Sequence, residues 1–327
     1  MSKQSKKVNQ WLLAVFLVVG LLVVAVLSLF LGSVFISPDK LFQSEILWQI
    51  RLPRVILAAL LGLLLSTSGV ILQGILRNYL ADPYILGISA GGGVGAAIAI
   101  ALGLNITLLG MSPVPLLALV FSLGSVFVVY KLSEVAGKAS PETLILAGVA
   151  LSAFASAILS LIIILKGNLQ SIYFWLLGSL SAASWGNVLT VLPYAIAGLA
   201  IAYFYSKELN ALLLGEEMAK TLGIEVEKVR LILIAAASLM TAAAVSVSGL
   251  IGFVGLIVPH WVRLWIGPNH RYLIPISALS GMILLVVADT LSRTLLSPAE
   301  IPIGIVMALV GAPFFLYLLR RRRAAGK

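Results

Sequence analysis

The sequence predicts an all-α, polytopic membrane protein with ten transmembrane helices. Of its 327 residues, 61% are apolar and only 10% charged, against about a quarter charged in soluble domains. The apolar residues run in long unbroken stretches rather than alternating, which indicates spanning helices of about 20 residues and not a β-barrel. Basic residues stand at both ends, at Lys3, Lys6 and Lys7 and at Arg320–Arg323. Both ends therefore belong on one side of the membrane, which requires an even number of crossings.

Taken in order, the first span is expected at Trp11–Leu31. It is too long for a signal-peptide core and no small-residue cleavage site follows it, so it stays in the chain. Spans two to seven are expected at Val55–Leu76, Ile88–Leu104, Val114–Tyr130, Thr143–Leu165, Val188–Tyr205 and Val229–Val247. The eighth, Gly252–Ile266, is short, contains Pro259 and follows the seventh after only Ser248-Gly249-Leu250-Ile251. Val229–Ile266 as one helix would be 38 residues, too long for a single crossing. The last two are Tyr272–Leu291 and Ile303–Leu319.

With both termini in the cytoplasm, 17 of the 22 Lys and Arg residues fall inside and five outside, at Lys40, Arg51, Arg54, Lys166 and Arg293. The positive-inside rule is obeyed. The net charge of +10 thus reports cytoplasmic loops rather than nucleic-acid binding. There is no cysteine, hence no disulfide and no thiolate metal site.

The longest charged interruption, residues 207–228, is cytoplasmic on this count. It carries Lys207, Glu208, Glu216, Glu217, Lys220, Glu225, Glu227 and Lys228. Leu209, Leu212, Leu213, Leu214, Met218, Ala219, Leu222 and Ile224 are spaced like the apolar faces of two short helices, broken at Gly215 and stopped at Gly223. That face either packs back on the bundle or docks a soluble partner.

Among the outside basic residues, Arg51 and Arg54 are three apart on one helix face, around a Pro53 suited to a first turn. They either snorkel to lipid phosphates or bind carboxylates of an external partner. Asp289 lies four residues before Arg293, the favourable order for a helical ion pair, and is the only acid clearly within a span. Gly91, Gly93 and Ala96 match a nucleotide fingerprint in form. They lie inside an apolar span and follow no strand, so close helix packing is expected. No phosphate-binding GxxxxGK[ST] loop occurs. Gly148, Ser152, Ser156 and Ser160 recur every fourth position of the fifth span, either for close helix approach or as the wall of a translocation path. Tyr173, Trp175 and Trp185 follow as interface aromatics. His260 and His270 are read as hydrogen-bonding residues rather than metal ligands.

Together, Arg51-Leu52-Pro53-Arg54, Gln73–Ser89, Leu214–Gly223, Gly252–Arg263, Asn269-His270-Arg271, Ala288–Arg293 and Pro302–Leu319 resemble the permease of ABC importers for ferric siderophores, haem and cobalamin. The resemblance runs from about Arg51 to the C-terminus. One departure is Tyr79, where the family usually reads Asn-Pro-Leu-Ala, which makes that turn less rigid. The resemblance implies a single permease domain over residues 1–327 of the bacterial cytoplasmic membrane, with an inverted repeat of spans two to five and seven to ten. It implies a homodimer, two ATPase subunits that bind the ATP and Mg, and a periplasmic or lipid-anchored binding protein. The chain itself would hold no cofactor or metal and perform no catalysis. Its coupling helices fall on Leu212, Leu213, Leu214, Gly215, Glu216, Glu217, Ala219, Leu222 and Gly223. Arg51, Arg54 and Arg293 fall where the family docks its binding protein. The fifth span, with Gly148, Ser152, Ser156 and Ser160, the tenth and the segment after the fifth would line the pathway.

Other functions fit less well. An ion-coupled carrier needs ionisable groups near the midplane, and the sequence offers little beyond Asp289. An intramembrane enzyme needs a catalytic pair at that depth, and none is visible. A permease for free divalent metal lacks cysteine or a midplane histidine cluster.

Overall fold

A computed structural model of the chain describes residues 10–32, 44–105, 111–135 and 138–325. Lys3, Lys6, Lys7, Lys40 and Lys327 of the charge count lie outside the described residues. Every apolar run becomes a helix. They are α1 (Gln10–Phe30), α2 (Leu52–Ile75), α3 (Ile88–Ala101), α4 (Pro113–Ser133), α5 (Pro141–Lys166), α6 (Leu169–Leu176) and α7 (Trp185–Phe204) in the first part. Two short helices, α8 (Ser206–Leu212) and α9 (Glu216–Thr221), precede α10 (Val226–Ser248), α11 (Val254–Ile266), α12 (His270–Thr294) and α13 (Ile303–Ala325). Among the described residues, seven helices are long and apolar enough to cross a membrane, and three more are apolar but shorter, α3, α11 and the apolar part of α13, Ile303–Tyr317. Among the described residues, the strand content is a two-residue ladder that pairs Glu134 with Ala139 and Val135 with Lys138.

Two details differ from expectation. The second span starts at Leu47, not Val55, because a π-turn over Leu47–Arg51 feeds directly into α2. Pro53 has no N–H for a regular ladder, and the wider turn absorbs that gap. The segment after the fifth span, with Tyr173, Trp175 and Trp185, expected as interface aromatics and by resemblance as part of the pathway, contains α6. Within that segment, the Trp185 indole donates to the Trp48 carbonyl at 2.9 Å.

The core is built around α2, which is buried on all its faces, as an all-round apolar helix should be. Its neighbours come close because glycines face one another. A Cβ on Gly62 would stand 2.1 Å from the Gly281 oxygen of α12, and one on Gly69 would stand 1.9 Å from the Gly255 oxygen of α11. Without a hydrophobic force between helices in lipid, such backbone approach supplies the packing energy. The α3 glycines do the same, since a Cβ at Gly95 would lie 2.2 Å from the Leu117 oxygen of α4. By contrast α1 and α5 keep large apolar side chains outward, Trp11 and Ile164 each 78% exposed.

Both α2 and α10 are followed by irregular backbone and then a short helix. Residues 76–87, including a 3-10 turn at Pro83–Leu86, lead into α3, and residues 249–253 lead into α11. Irregular backbone at membrane depth is tolerated only when protein satisfies its polar groups. Here the two irregular segments meet. The Tyr84 hydroxyl pairs with Ile251, and the Gln73 amide reaches the Ala81, Gly255 and Leu256 carbonyls at 3.4, 3.2 and 3.4 Å.

Candidate functional site

At the end of the bundle where α8 and α9 sit, Gly215 (φ 109°) and Gly223 (φ 81°) bracket α9. Side chains other than glycine are strained at such angles, so the break and the stop fall where the sequence put them. Leu209, Ala211, Leu212 and Ala219 are buried against the bundle, whereas Leu214, Met218 and Leu222 are 69%, 52% and 61% exposed. The packing-back reading holds for one face of the segment, and the opposite face is exposed. One side anchors the segment and the other presents an apolar stripe four residues in period. The anchor is completed by Asn210, whose side-chain oxygen accepts from the His270 backbone N–H at 2.8 Å and pairs with its Nδ1 at 2.9 Å. Beside the stripe, Lys220 contacts Glu217 at 2.7 Å, and that hydrogen bond raises the lysine pKa from its ordinary value.

At the opposite end, Arg51, Arg54 and Arg293 are only 5%, 6% and 4% exposed. Arg54 Nε donates to both Asp289 oxygens at 2.9 and 3.2 Å, while its two Nη groups hold Glu300 in a fork at 2.9 and 3.0 Å. Arg293 lies 3.4 Å from Asp289, the expected helical pair, and its Nη2 donates to the Ser28 carbonyl at 2.6 Å and to the Ser28 hydroxyl. Arg51 donates to the Leu29 and Phe30 carbonyls at 2.6 and 3.2 Å. The guanidinium groups thus turn inward and lock α1, α2, α12 and the turn before α13 together. A lone buried acid needs counter-charge, and that signal in Asp289 pointed to Arg293 but not to Arg54 across 235 residues. The partly exposed edge of the cluster is Glu300, whose side chain is 34% exposed.

The stripe on α5 divides along its length. A Cβ on Gly148 would stand 2.0 Å from the Ile85 oxygen, so Gly148 serves close packing. Ser152 is half-buried, and Ser156 and Ser160 are exposed. Their hydroxyls donate to the Ser152 and Ser156 carbonyls at 2.8 and 2.9 Å, which leaves a smooth, weakly polar surface.

His260 meets Phe314 edge-on with centroids 6.4 Å apart. Among the described residues no group of three or more His, Cys, Asp or Glu side chains is placed to hold a metal ion. Tyr79 lies under the Arg263 guanidinium, 4.2 Å from ring centre to Cζ, and Arg263 Nη1 also donates to Gln73 Oε1 at 2.8 Å. A cation–π contact thus occupies the turn where the resemblance leads one to expect proline.

Residues 20–321 match the FecCD transport family. The hemin transport system permease protein of Yersinia pestis is 38% identical over 338 residues, covering 97% of this chain and 98% of its own. The cobalamin import system permease protein of Halobacterium salinarum is 46% identical over 278 residues, covering 85% of this chain and 74% of its own. A solved ABC transporter described as of the metal-chelate type, in an inward-facing conformation, superposes with a TM-score of 0.85 at 35% identity, over 94% of this chain and 98% of that one. With a match across nearly the whole bundle and an anchored, outward-facing apolar stripe at one end of it, this chain belongs to the FecCD transport family and is a permease subunit of an ABC importer.

Proposed function

We propose that the chain is the pathway-forming subunit of an importer that carries a metal chelate, a ferric siderophore, haem or cobalamin, across the bacterial cytoplasmic membrane. The observation that carries this reading is the α8–α9 segment, held by buried Leu209, Leu212 and Ala219 while it offers Leu214, Met218 and Leu222 to a partner. Two ATPase subunits engage that stripe in a dimer of this chain. Closure of the ATPases on ATP moves α9, and the pathway between the two copies alternates between outward and inward opening. Exposed Ser156 and Ser160 on α5 support a pathway wall that grips no cargo group strongly. Selectivity then rests mainly with a binding protein, docked at the end that carries Arg51, Arg54, Arg293 and Glu300.

Ten crossings with both termini in the cytoplasm are supported by the basic-residue count and by the ten apolar helices. The inverted repeat is supported by a shared pattern: a 24-residue α2, a break and a 14-residue α3, then a 23-residue α10, a break and a 13-residue α11.

The test is uptake in proteoliposomes containing the chain, its ATPase and its binding protein. ATP-dependent entry of a ferric siderophore, haem or cobalamin is expected. Uptake that persists without the ATPase would point to an ion-coupled carrier, and uptake of free divalent ions alone would overturn the chelate reading.

A further inference from the structure

Arg230, near the start of α10, has a side chain only 2% exposed, and it gathers three elements. Its Nη2 donates to Glu216, which opens α9. Its Nη1 donates to both Glu227 oxygens, at 2.9 and 3.1 Å, and to the Ala139 carbonyl at 2.8 Å. Ala139 lies two residues before Pro141, where α5 begins, and it pairs with Glu134 at the foot of α4. The Thr143 hydroxyl, one turn into α5, reaches back to the Ser133 carbonyl at 3.1 Å. The base of α5 is thus tied to Arg230 directly and to α4 as well.

We propose that Arg230 is a positioning residue that passes a displacement of α9 to α5. The inference rests on the reading above that the ATPase engages α8–α9. A guanidinium is a planar fork with fixed donor directions, and hydrogen bonds to charged groups are strong where water is scarce. When α9 shifts, Glu216 draws the fork with it. The fork in turn draws the Ala139 carbonyl, because both acceptors share one rigid plane. Glu227, three residues before Arg230 on α10, keeps the arginine seated there. Ala219 of α9 is wholly buried, and a buried alanine can slide where a paired arginine cannot.

The absence of cysteine from the chain allows a direct test. Single cysteines replacing Ser156 or Ser160 on α5 are labelled with a maleimide in the complete complex, with and without ATP and vanadate. With Arg230 intact, the labelling rate changes with nucleotide. In Arg230→Met that change is lost while the ATPase still copurifies and still hydrolyses ATP, and in Glu216→Gln the change is lost as well. Arg230→Lys, which keeps the charge but not the fork, recovers only part of it. Glu216→Gln keeps the Arg230–Glu227 pair, so its loss of response is not a loss of fold. A wild-type response in both Glu216→Gln and Arg230→Met overturns the proposal. A chain that shows no response to nucleotide with Arg230 intact, or retains no ATPase, overturns the proposed function and the joint with it.

Discussion

The Tyr84 hydroxyl serves both backbone groups of Ile251: it accepts from the Ile251 N–H at 3.0 Å and donates to the Ile251 carbonyl at 3.1 Å. One side chain from the break after α2 thereby satisfies the break after α10. Loss of the hydroxyl leaves a donor and an acceptor unpaired in a dry interior, at about 1–3 kcal/mol for each such group. Tyr84→Phe is expected to lower the thermal unfolding midpoint in detergent, and an unchanged midpoint would mean that water already serves Ile251.

Arg54 is expected to behave as a structural keystone. Arg54→Ala leaves Glu300 without its fork partner and Asp289 with Arg293 alone, and breaking a buried pair costs about 3–5 kcal/mol. Pairing Arg54→Met with Asp289→Asn removes both charges and is expected to recover part of that loss. Thermal denaturation of the single and double variants measures it. Equal stability of Arg54→Ala and the parent protein would show the cluster to be solvated.

The two faces of α8–α9 predict opposite phenotypes. Leu214→Asp, Met218→Asp and Leu222→Asp lie in the open, so stability changes by no more than about 0.5 kcal/mol, while copurification of the ATPase is lost. Leu212→Asp and Ala219→Asp place an unpaired charge in the anchor and are expected to reduce folded protein itself. Size-exclusion profiles with and without the ATPase separate the two. If the exposed variants retain their ATPase, the stripe is not its seat.

Glycine substitutions should sort by what faces them. Gly62→Leu drives a side chain into the Gly281 oxygen and is expected to abolish folded protein, judged by monodisperse yield. Gly124, in α4, faces open space within 4 Å. Gly124→Ala should therefore be tolerated and gain about 0.5–1 kcal/mol from reduced backbone freedom in the unfolded chain. A destabilised Gly124→Ala would indicate a partner packed over that site.

Much of this molecule was legible before its fold was known. Apolar run length found the seven long helices and the three shorter apolar ones among the described residues, because a spanning segment satisfies its own backbone and needs little help from neighbours. Gly215 and Gly223 marked the limits of α9, because positive φ is a local demand that only a few residues meet. The Gly91–Gly95 stretch read correctly as close packing. The start of the second span was missed by eight residues, since Leu47–Arg51 makes a turn type that leaves no mark in composition. Helix α6 was missed because eight residues between two spans look like any aromatic interface segment.

The sequence by itself determined the class of the protein, where its long apolar helices run and the place of its amphipathic interruption, all of which follow from short-range pattern. The tertiary structure alone decided where the charges go. Arg51 and Arg54 read as guanidiniums on one helix face at the outer end, yet α1, α12 and Glu300 close over them, and Arg230 looked like one basic residue among many until α9 and Ala139 met it. The energy of a buried charge depends on partners far away in the chain, and spacing along a sequence carries no record of who arrives.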